Sequence, residues 1–305
     1  MSLPSHPFEF ASLTACLPRW KEAQADQQVT QWLSDGYALQ FSQSPQRCDI
    51  PNRTMAPPDL LFLQQQVKEY LLRDAIEPIL PSQAFCVCPI FVVQGKKPRM
   101  IHDLRHLNQY LNAPRVKLES INQLAPLLRS GDWMVKTDVK SGYHHIWIRE
   151  QDRRFLAFRL LGQLYRWKVL PFGLATAPFV FVKTIKVTLR VLRSLGLRCN
   201  LYMDDWLLVS QSQQELLQQQ QLLWRVCHEM GWALSPDKSV TIPSQRLEYL
   251  GFILDTTEKP VLRIPPAKRQ SLCHSIARLI FRPQQPTTKR TLSQVLGSCV
   301  HMTRA

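Results

Sequence analysis

The stretch Leu201-Tyr202-Met203-Asp204-Asp205-Trp206-Leu207-Leu208-Val209 sets two adjacent carboxylates inside a strongly apolar run. Taking such charges out of water is costly unless cations pair with them, and this window holds no Lys or Arg. Hard divalent cations are the natural compensation, because they take carboxylate oxygens. A third acid, Asp138, closes the apolar segment around Val135. Asp138 and Asp204 on neighbouring strands would suit two metal ions, an arrangement that activates an attacking hydroxyl and steadies the leaving group of a phosphoryl displacement. An exposed Asp-Asp turn is the plainer alternative, and Tyr-x-Asp-Asp alone is a weak signal.

The charge balance names the kind of partner. Among 305 residues, Lys plus Arg number 38 against 23 acids, a net +15, which points to a polyanion: nucleic acid or an anionic membrane. From Pro260 to Ala305 there is no Asp or Glu, yet Arg263, Lys268, Arg269, Arg278, Arg282, Lys289, Arg290 and Arg304 all lie there. A second one-sign stretch holds Lys183, Lys186, Arg190, Arg193 and Arg198. Missing counter-charges favour a phosphate-binding surface over a solvated helix face in both. The longest apolar stretch, Ala84–Val93, contains Pro89 and falls well short of the roughly 20 residues of a spanning helix. No signal peptide is visible. The eight cysteines form no CxxC and the histidines no HxxxH, so reduced thiols of an intracellular protein, cytoplasmic or nuclear, are expected rather than zinc or a disulfide framework.

The elements that must position the acids follow from periodicity. A helix is expected around Ala23–Leu33 and another from Pro57, with Leu60, Leu63, Val67 and Leu71 at helical spacing. Strand patterns follow at Phe85–Val93 and Arg99–Asp103, flanking the basic turn Gln94-Gly95-Lys96-Lys97-Pro98. Trp133–Val139 reads as a strand, Phe155–Leu170 as a hairpin turning at Gly162, and Pro178–Leu197 as a helix. Leu201–Ser210 reads as strand–turn–strand with the acids at the turn, and Gln213–Gly231 as a helix with a Gln-rich face. Short strands at Ser239–Ile242 and Leu247–Leu254 and basic helices at Pro266–Ile280 and Lys289–Met302 complete an α+β pattern.

Six blocks recur in one order: Lys96-Lys97-Pro98-Arg99-Met100-Ile101-His102-Asp103-Leu104-Arg105-His106-Leu107-Asn108; Asp138 to Tyr143; Leu170-Pro171-Phe172-Gly173-Leu174-Ala175-Thr176-Ala177-Pro178; Tyr202-Met203-Asp204-Asp205; Leu234-Ser235-Pro236-Asp237-Lys238; and Tyr249-Leu250-Gly251-Phe252. Together they resemble a reverse transcriptase from about Leu60 to Gly297. The Val-Leu-Pro-Phe-Gly-Leu and Tyr-Leu-Gly-Phe blocks look like retrotransposon enzymes. Trp206 and the Asp-Leu-Arg-His-Leu-Asn string look most like DIRS-type, tyrosine-recombinase elements.

The resemblance implies an RNA-directed DNA polymerase with a right-hand fold: an N-terminal extension (1–58), fingers (59–112 and 146–176), palm with an antiparallel sheet (113–145 and 177–254) and thumb (255–305). It implies two Mg²⁺ ions, replaceable by Mn²⁺, on Asp138, Asp204, the Val139 carbonyl and more weakly Asp205. Arg99 with Lys96 or Lys97 would hold the triphosphate of a dNTP. Tyr143 would exclude a ribose 2′-hydroxyl, since a steric wall rejects added bulk; a core tyrosine is the alternative. Gly173 would let backbone approach the nucleotide. Phe172 stands where retroviral enzymes carry a glutamine, and Met203 would neighbour the primer end. Lys238 is either a general acid for pyrophosphate or an exposed lysine. Leu250 and Gly251 would form the primer grip. Lys268, Arg269, Arg278 and Arg282 would follow the backbone of an RNA template, DNA primer or their hybrid, sequence-independently.

The family carries an RNase H domain after the thumb, and none is legible before Ala305; protease, recombinase and capsid regions are likewise absent. The expectation is a piece of a larger polyprotein, with contiguous RNase H and recombinase regions, or a remnant reading frame. The rival function is a catalytically idle descendant that only binds nucleic acid or a scaffold. Intact acids favour activity, and Tyr143 with the Leu-Pro-Phe-Gly block argues against an RNA-dependent RNA polymerase.

Overall fold

A computed structural model describes residues 12–95, 97–116, 124–281 and 288–303. Contacts gather the described residues into two compact units. One holds residues up to 116 with 139–191 and 225–234; the other holds 124–138, 192–224 and 235–303.

In the first unit, the helix expected around Ala23–Leu33 is α2 (Gln27–Asp35), and an additional short helix, α1 (Leu17–Glu22), precedes it. Asp26 separates them because its carboxylate caps α2, accepting from Val29 N at 2.9 Å. This segment is stitched into the body. The fully buried Trp20 donates to Met230 O at 2.9 Å, and the Tyr37 amide donates to Trp147 O at 2.7 Å. Helix α3 (Pro57–Leu72) starts with Pro at its first turn, where a missing N–H costs nothing, and buries Leu63 and Val67.

A five-stranded sheet follows, in the order β1 (Cys48–Asp49), β3 (Cys86–Val87), β7 (Ala157–Leu160), β8 (Gln163–Trp167), β2 (Ile76–Ile79). The apolar run Phe85–Val93 is not one strand. It divides at Pro89, which has no N–H to give a ladder, into β3 and β4 (Ile90–Val93). Strand β4 pairs instead with β5 (Arg99–His102), making the basic hairpin. Helix α4 (Arg105–Asn108) and helix α5 (Ala177–Ser194) follow in sequence.

In the second unit, a four-stranded sheet has the order β11 (Val240–Ser244), β6 (Trp133–Asp138), β10 (Asp205–Ser210), β9 (Arg198–Tyr202). Strand β10 is buried from Trp206 to Ser210. Its Leu207 and Val209 pack with Met134, Tyr249, Phe252 and Leu254 in one core. The expected strand Leu247–Leu254 is a hairpin, β12 (Arg246–Tyr249) and β13 (Phe252–Asp255), because Leu250 and Gly251 both take positive φ, 49° and 81°. Strand β14 (Val261–Arg263) joins β13. Helices α6 (Gln213–Glu229), α7 (Pro266–Phe281) and α8 (Lys289–Met302) complete the described elements. Among them, no helix is long and apolar enough to cross a membrane.

Four of the five cations in the charge run from Lys183 to Arg198 have partners within the protein. Lys183 pairs with Asp26 at 3.5 Å, and Arg190 donates to the carbonyls of Ala23 and Gln24. Arg193 donates to Cys199 O at 3.1 Å, and Arg198 meets the fully buried Asp132 at 2.5 Å. Lys186 stays exposed. These cations pair with backbone carbonyls and carboxylates of the protein, while Lys186, Arg190 and Arg193 remain exposed, so only Arg198, against a buried acid, is clearly structural.

Candidate active site

Register brings the acids together. Asp138 ends β6 and Asp205 opens β10, and the two are direct partners in the antiparallel ladder; opposed residues put their side chains on one face. The β9–β10 turn places Asp204 beside them, with Met203 held in left-handed backbone, φ 51°. Burial and the negative charges of Asp138 and Asp205 push the Asp204 carboxyl up to about 6, against a smaller opposing pull from Lys238.

Asp138 Oδ1 and Asp204 Oδ1 are buried oxygens without a hydrogen-bond partner. Two buried acceptors that no hydrogen bond satisfies, in a mutually repelling cluster, fit a divalent cation. Among the described residues, no three His, Cys, Asp or Glu side chains gather closely enough to cage an ion.

The cations missing from the sequence window arrive from elsewhere. Lys136, two residues before Asp138, lies 3.1 Å from Asp205 Oδ1. Lys238 Nζ lies 3.8 Å from Asp138 Oδ1, with its side chain 68% exposed. The premise that metal alone could balance the acids is therefore corrected: Asp205 already has a lysine partner.

The backbone around Asp138 is fixed by the Leu234–Lys238 block. Ser235 N donates to Asp138 O at 2.8 Å, and Asp138 N donates to Ser239 Oγ at 3.0 Å. Ser239 carried no legible signal; a serine one residue beyond a motif is ordinary.

In the other unit, Lys97 and Arg99 are exposed on the β4–β5 hairpin, while Lys96 lies outside the described residues. Tyr143 is 8% exposed, its ring 4.8 Å from that of Phe172 and 5.3 Å from that of Phe181; Phe172 is half exposed. Val139 is buried and bridges Leu234. Gly173 takes φ 91°, and a Cβ there would stand 2.9 Å from His102 O. The close approach that requires glycine is thus to strand β5.

Asn108, absent from the expected site, joins two motif blocks. Its amide donates to Gly173 O and accepts from Ala175 N, both at 2.9 Å. The Leu-Asn string was visible, but its partner loop is far away in sequence.

Leu250 and Gly251 form the β12–β13 turn. Lys268 Nζ donates to Gly251 O at 3.1 Å, so this lysine caps the turn instead of standing free. Arg269 and Arg278 are exposed on α7; Arg282 lies outside the described residues. Helices α7 and α8 bury no residue and flank a groove of about 720 Å³, lined by Lys268, Ser271, Ser275, Arg278, Gln294 and His301 among others.

Comparison with known proteins decides the family. The model for reverse transcriptase (RNA-dependent DNA polymerase) matches residues 94–254, just over half of the chain. The chain belongs to the reverse transcriptase family. Its relatives make it a reverse transcriptase domain of the retrotransposon and retroviral type. It is 29% identical over 201 residues to the Drosophila melanogaster transposon gypsy Pol polyprotein, covering 63% of this chain and 19% of that one. It is 26% identical over 237 residues to the cauliflower mosaic virus enzymatic polyprotein, covering 75% and 34%. A Schizosaccharomyces pombe transposon Tf2-3 polyprotein is 25% identical over 264 residues, covering 86% and 18%. The chain thus spans only a fifth to a third of these relatives.

The reverse transcriptase fold is shared with foamy viral protease-reverse transcriptase. The structure of that protein with an RNA/DNA hybrid matches with TM-score 0.67 at 16% identity, over 92% of this chain and 36% of the other. A second, with double-stranded DNA, matches with TM-score 0.68 at 16% identity, over 97% and 54%. The expected α+β, right-hand polymerase fold is the one found.

Proposed function

We propose that the chain is an RNA-directed DNA polymerase that extends a DNA primer on an RNA or DNA template from dNTPs. The observation that carries this reading is the paired Asp138 and Asp204, each with a buried oxygen that no hydrogen bond satisfies, in a family-defining segment. Mg²⁺, or Mn²⁺ in its place, fits there on Asp138, Asp204 and the Val139 carbonyl, with Asp205 contributing less because Lys136 holds it. Bound divalent ions would neutralise charge on the transferring phosphoryl group.

The chain's own residues supply binding and orientation. Arg99 with Lys97 or Lys96 offers cations to the triphosphate. The aromatic wall of Tyr143, backed by Phe172 and Phe181, would select deoxyribose, with Gly173 shaping the adjoining loop and Met203 beside the primer end. Lys238, whose Nζ lies 3.8 Å from Asp138 Oδ1, would protonate the leaving pyrophosphate. Leu250 and Gly251 would grip the primer. Arg269, Arg278 and Arg282, with Lys268, would follow the duplex backbone past the groove between α7 and α8, whose serine, threonine and glutamine side chains alternate with Leu272, Leu279, Val295 and Met302.

We assign fingers, palm and thumb by the boundaries expected from sequence. The source reading is a DIRS-type retrotransposon whose parent polyprotein carries RNase H and recombinase regions.

Primer extension on an RNA template with dNTPs and Mg²⁺ tests the proposal. Extension by the wild type that vanishes in Asp204→Asn supports it, and equal extension by both sinks the metal-ligand assignment. Failure to extend by a folded protein that still binds primer–template favours an idle, nucleic-acid-binding descendant. In Tyr143→Ala, ribonucleotides should be incorporated; unchanged sugar selection removes the gate role.

A further inference from the structure

The carbonyls on either side of Asp204 are each met by the polar tip of a buried aromatic. Trp206 Nε1 donates to Met203 O at 2.9 Å, and the Tyr249 hydroxyl stands 3.1 Å from Asp205 O. That hydroxyl is also 2.8 Å from Asn200 Oδ1 and 3.3 Å from Asn200 O. Asn200 sits on β9 opposite Leu207 of β10, and Tyr249 ends β12. Tyr249 and Asn200 are 1% and 2% exposed, so water does not compete for these groups.

The setting makes such ties matter. The β9–β10 ladder ends at the Asp205–Tyr202 pair, leaving Met203 and Asp204 in the turn. Met203 has positive φ, a conformation that costs a non-glycine residue energy and persists only where surroundings over-determine it. Packing alone would be met by a phenylalanine ring at 249. A buried hydroxyl adds a desolvation cost that its hydrogen bonds must offset, and here those bonds reach the acidic turn.

We propose that Tyr249 is a positioning residue for the acidic hairpin: its single hydroxyl proton, shared between Asn200 Oδ1 on β9 and the Asp205 carbonyl, ties that end of the turn to the sheet while Trp206 holds the Met203 carbonyl, and the two together aim the Asp204 carboxylate. This rests on the reading of Asp138 and Asp204 as metal ligands. Sequence alone does not reveal it, because Tyr249 and Asn200 are 49 positions apart.

Tyr249→Phe keeps the ring and removes the hydroxyl. Residues that orient a metal ligand typically cost ten- to a hundred-fold when lost, so the Mn²⁺ concentration for half-maximal primer extension should rise by about tenfold and kcat should fall by a similar factor. KM for dNTP should stay within about twofold, since no nucleotide contact is lost. Mn²⁺ binding to the enzyme alone, read by electron paramagnetic resonance, should weaken in parallel. A Tyr249→Phe protein that melts lower yet keeps wild-type metal dependence and kcat overturns the proposal and leaves a packing role. If Tyr249→Phe does not fold, Asn200→Ala decides: weakened Mn²⁺ binding supports the tie, and wild-type binding in the folded variant overturns it. Asp204→Asn, run alongside, separates the two levels: if it binds Mn²⁺ and extends primers like wild type, the ligand reading fails whatever Tyr249 does.

Discussion

Lys136 Nζ contacts Asp205 Oδ1 at 3.1 Å across the β6–β10 ladder, in which Asp205 itself faces Asp138 and Lys136 faces Leu207. The lysine thus lies diagonally behind the acid pair and neutralises the member that Asp138 would otherwise repel. Lys136→Met should lower metal-free stability by up to about 1 kcal/mol, the range of a partly exposed pair. It should also tighten divalent-cation binding, because a competing positive charge is gone. Melting with and without Mg²⁺ reads both effects: the metal-induced rise in Tm should exceed that of wild type.

Asp204 gives a pH prediction with a definite sign. Its folded-state pKa, about 6 against an ordinary 3.8, means the folded protein holds this proton more tightly than the unfolded chain. The stability this contributes is present below about pH 4 and lost as pH rises through 6. Asp204→Asn should therefore stabilise the metal-free protein by about 1–2 kcal/mol at pH 7.5 and little at pH 4. Denaturant midpoints at the two pH values check it; an equal gain at both contradicts the assignment.

Three buried histidines oppose that trend. Burial holds His102 and His145 down to about 4 and His144 to about 3. Above pH 6.5 they are neutral in both states and cost nothing. Between 6.5 and about 4 the unfolded chain binds protons that the folded one refuses, so stability falls, by about 1–3 kcal/mol for each. His144, with neither ring nitrogen hydrogen-bonded, is the cleanest test: His144→Phe should flatten the acid limb of the stability curve.

Arg198 and Asp132 form a pair whose acid is fully buried. Arg198→Met removes the positive partner of that carboxylate, leaving it only the neutral donors Arg129 N and Gln211, and should cost about 2–4 kcal/mol. Nucleic-acid affinity of the folded fraction should not change, which distinguishes a structural arginine from a phosphate contact. A variant of unchanged stability that binds nucleic acid less tightly would reverse the assignment.

On α7 the expectation is the opposite. Arg269→Gln and Arg278→Gln should each reduce the slope of log affinity against log salt for primer–template by about 1, with little loss of stability. Lys268→Gln should instead act through the Gly251 turn, shifting primer use more than the salt slope.

How far the sequence reached depended on the range of the interaction. Helices, hairpins and the basic turn are written in local periodicity and in prolines, so α3, α5 and the β9–β10 turn sit close to where the pattern puts them. The divisions at Pro89 and at Leu250-Gly251 were missed as apolar runs, although the breakers were in view. The three acids were legible because charge inside an apolar strand pattern is a local contradiction that demands a cation.

By itself, then, the sequence determined the family, the α+β fold and Asp138, Asp204 and Asp205 as candidates. Tertiary structure alone decided which cations meet which acids. Register sends Lys136 to Asp205, and a short turn brings Lys238 to Asp138. Folding also paired Lys183, Arg190, Arg193 and Arg198 with carbonyls and carboxylates of the protein, and tied Tyr249 to Asn200 and Asn108 to Gly173. A charge count is indifferent to distance, whereas a salt bridge or a hydrogen bond exists only within a few ångströms, and only the fold sets those separations.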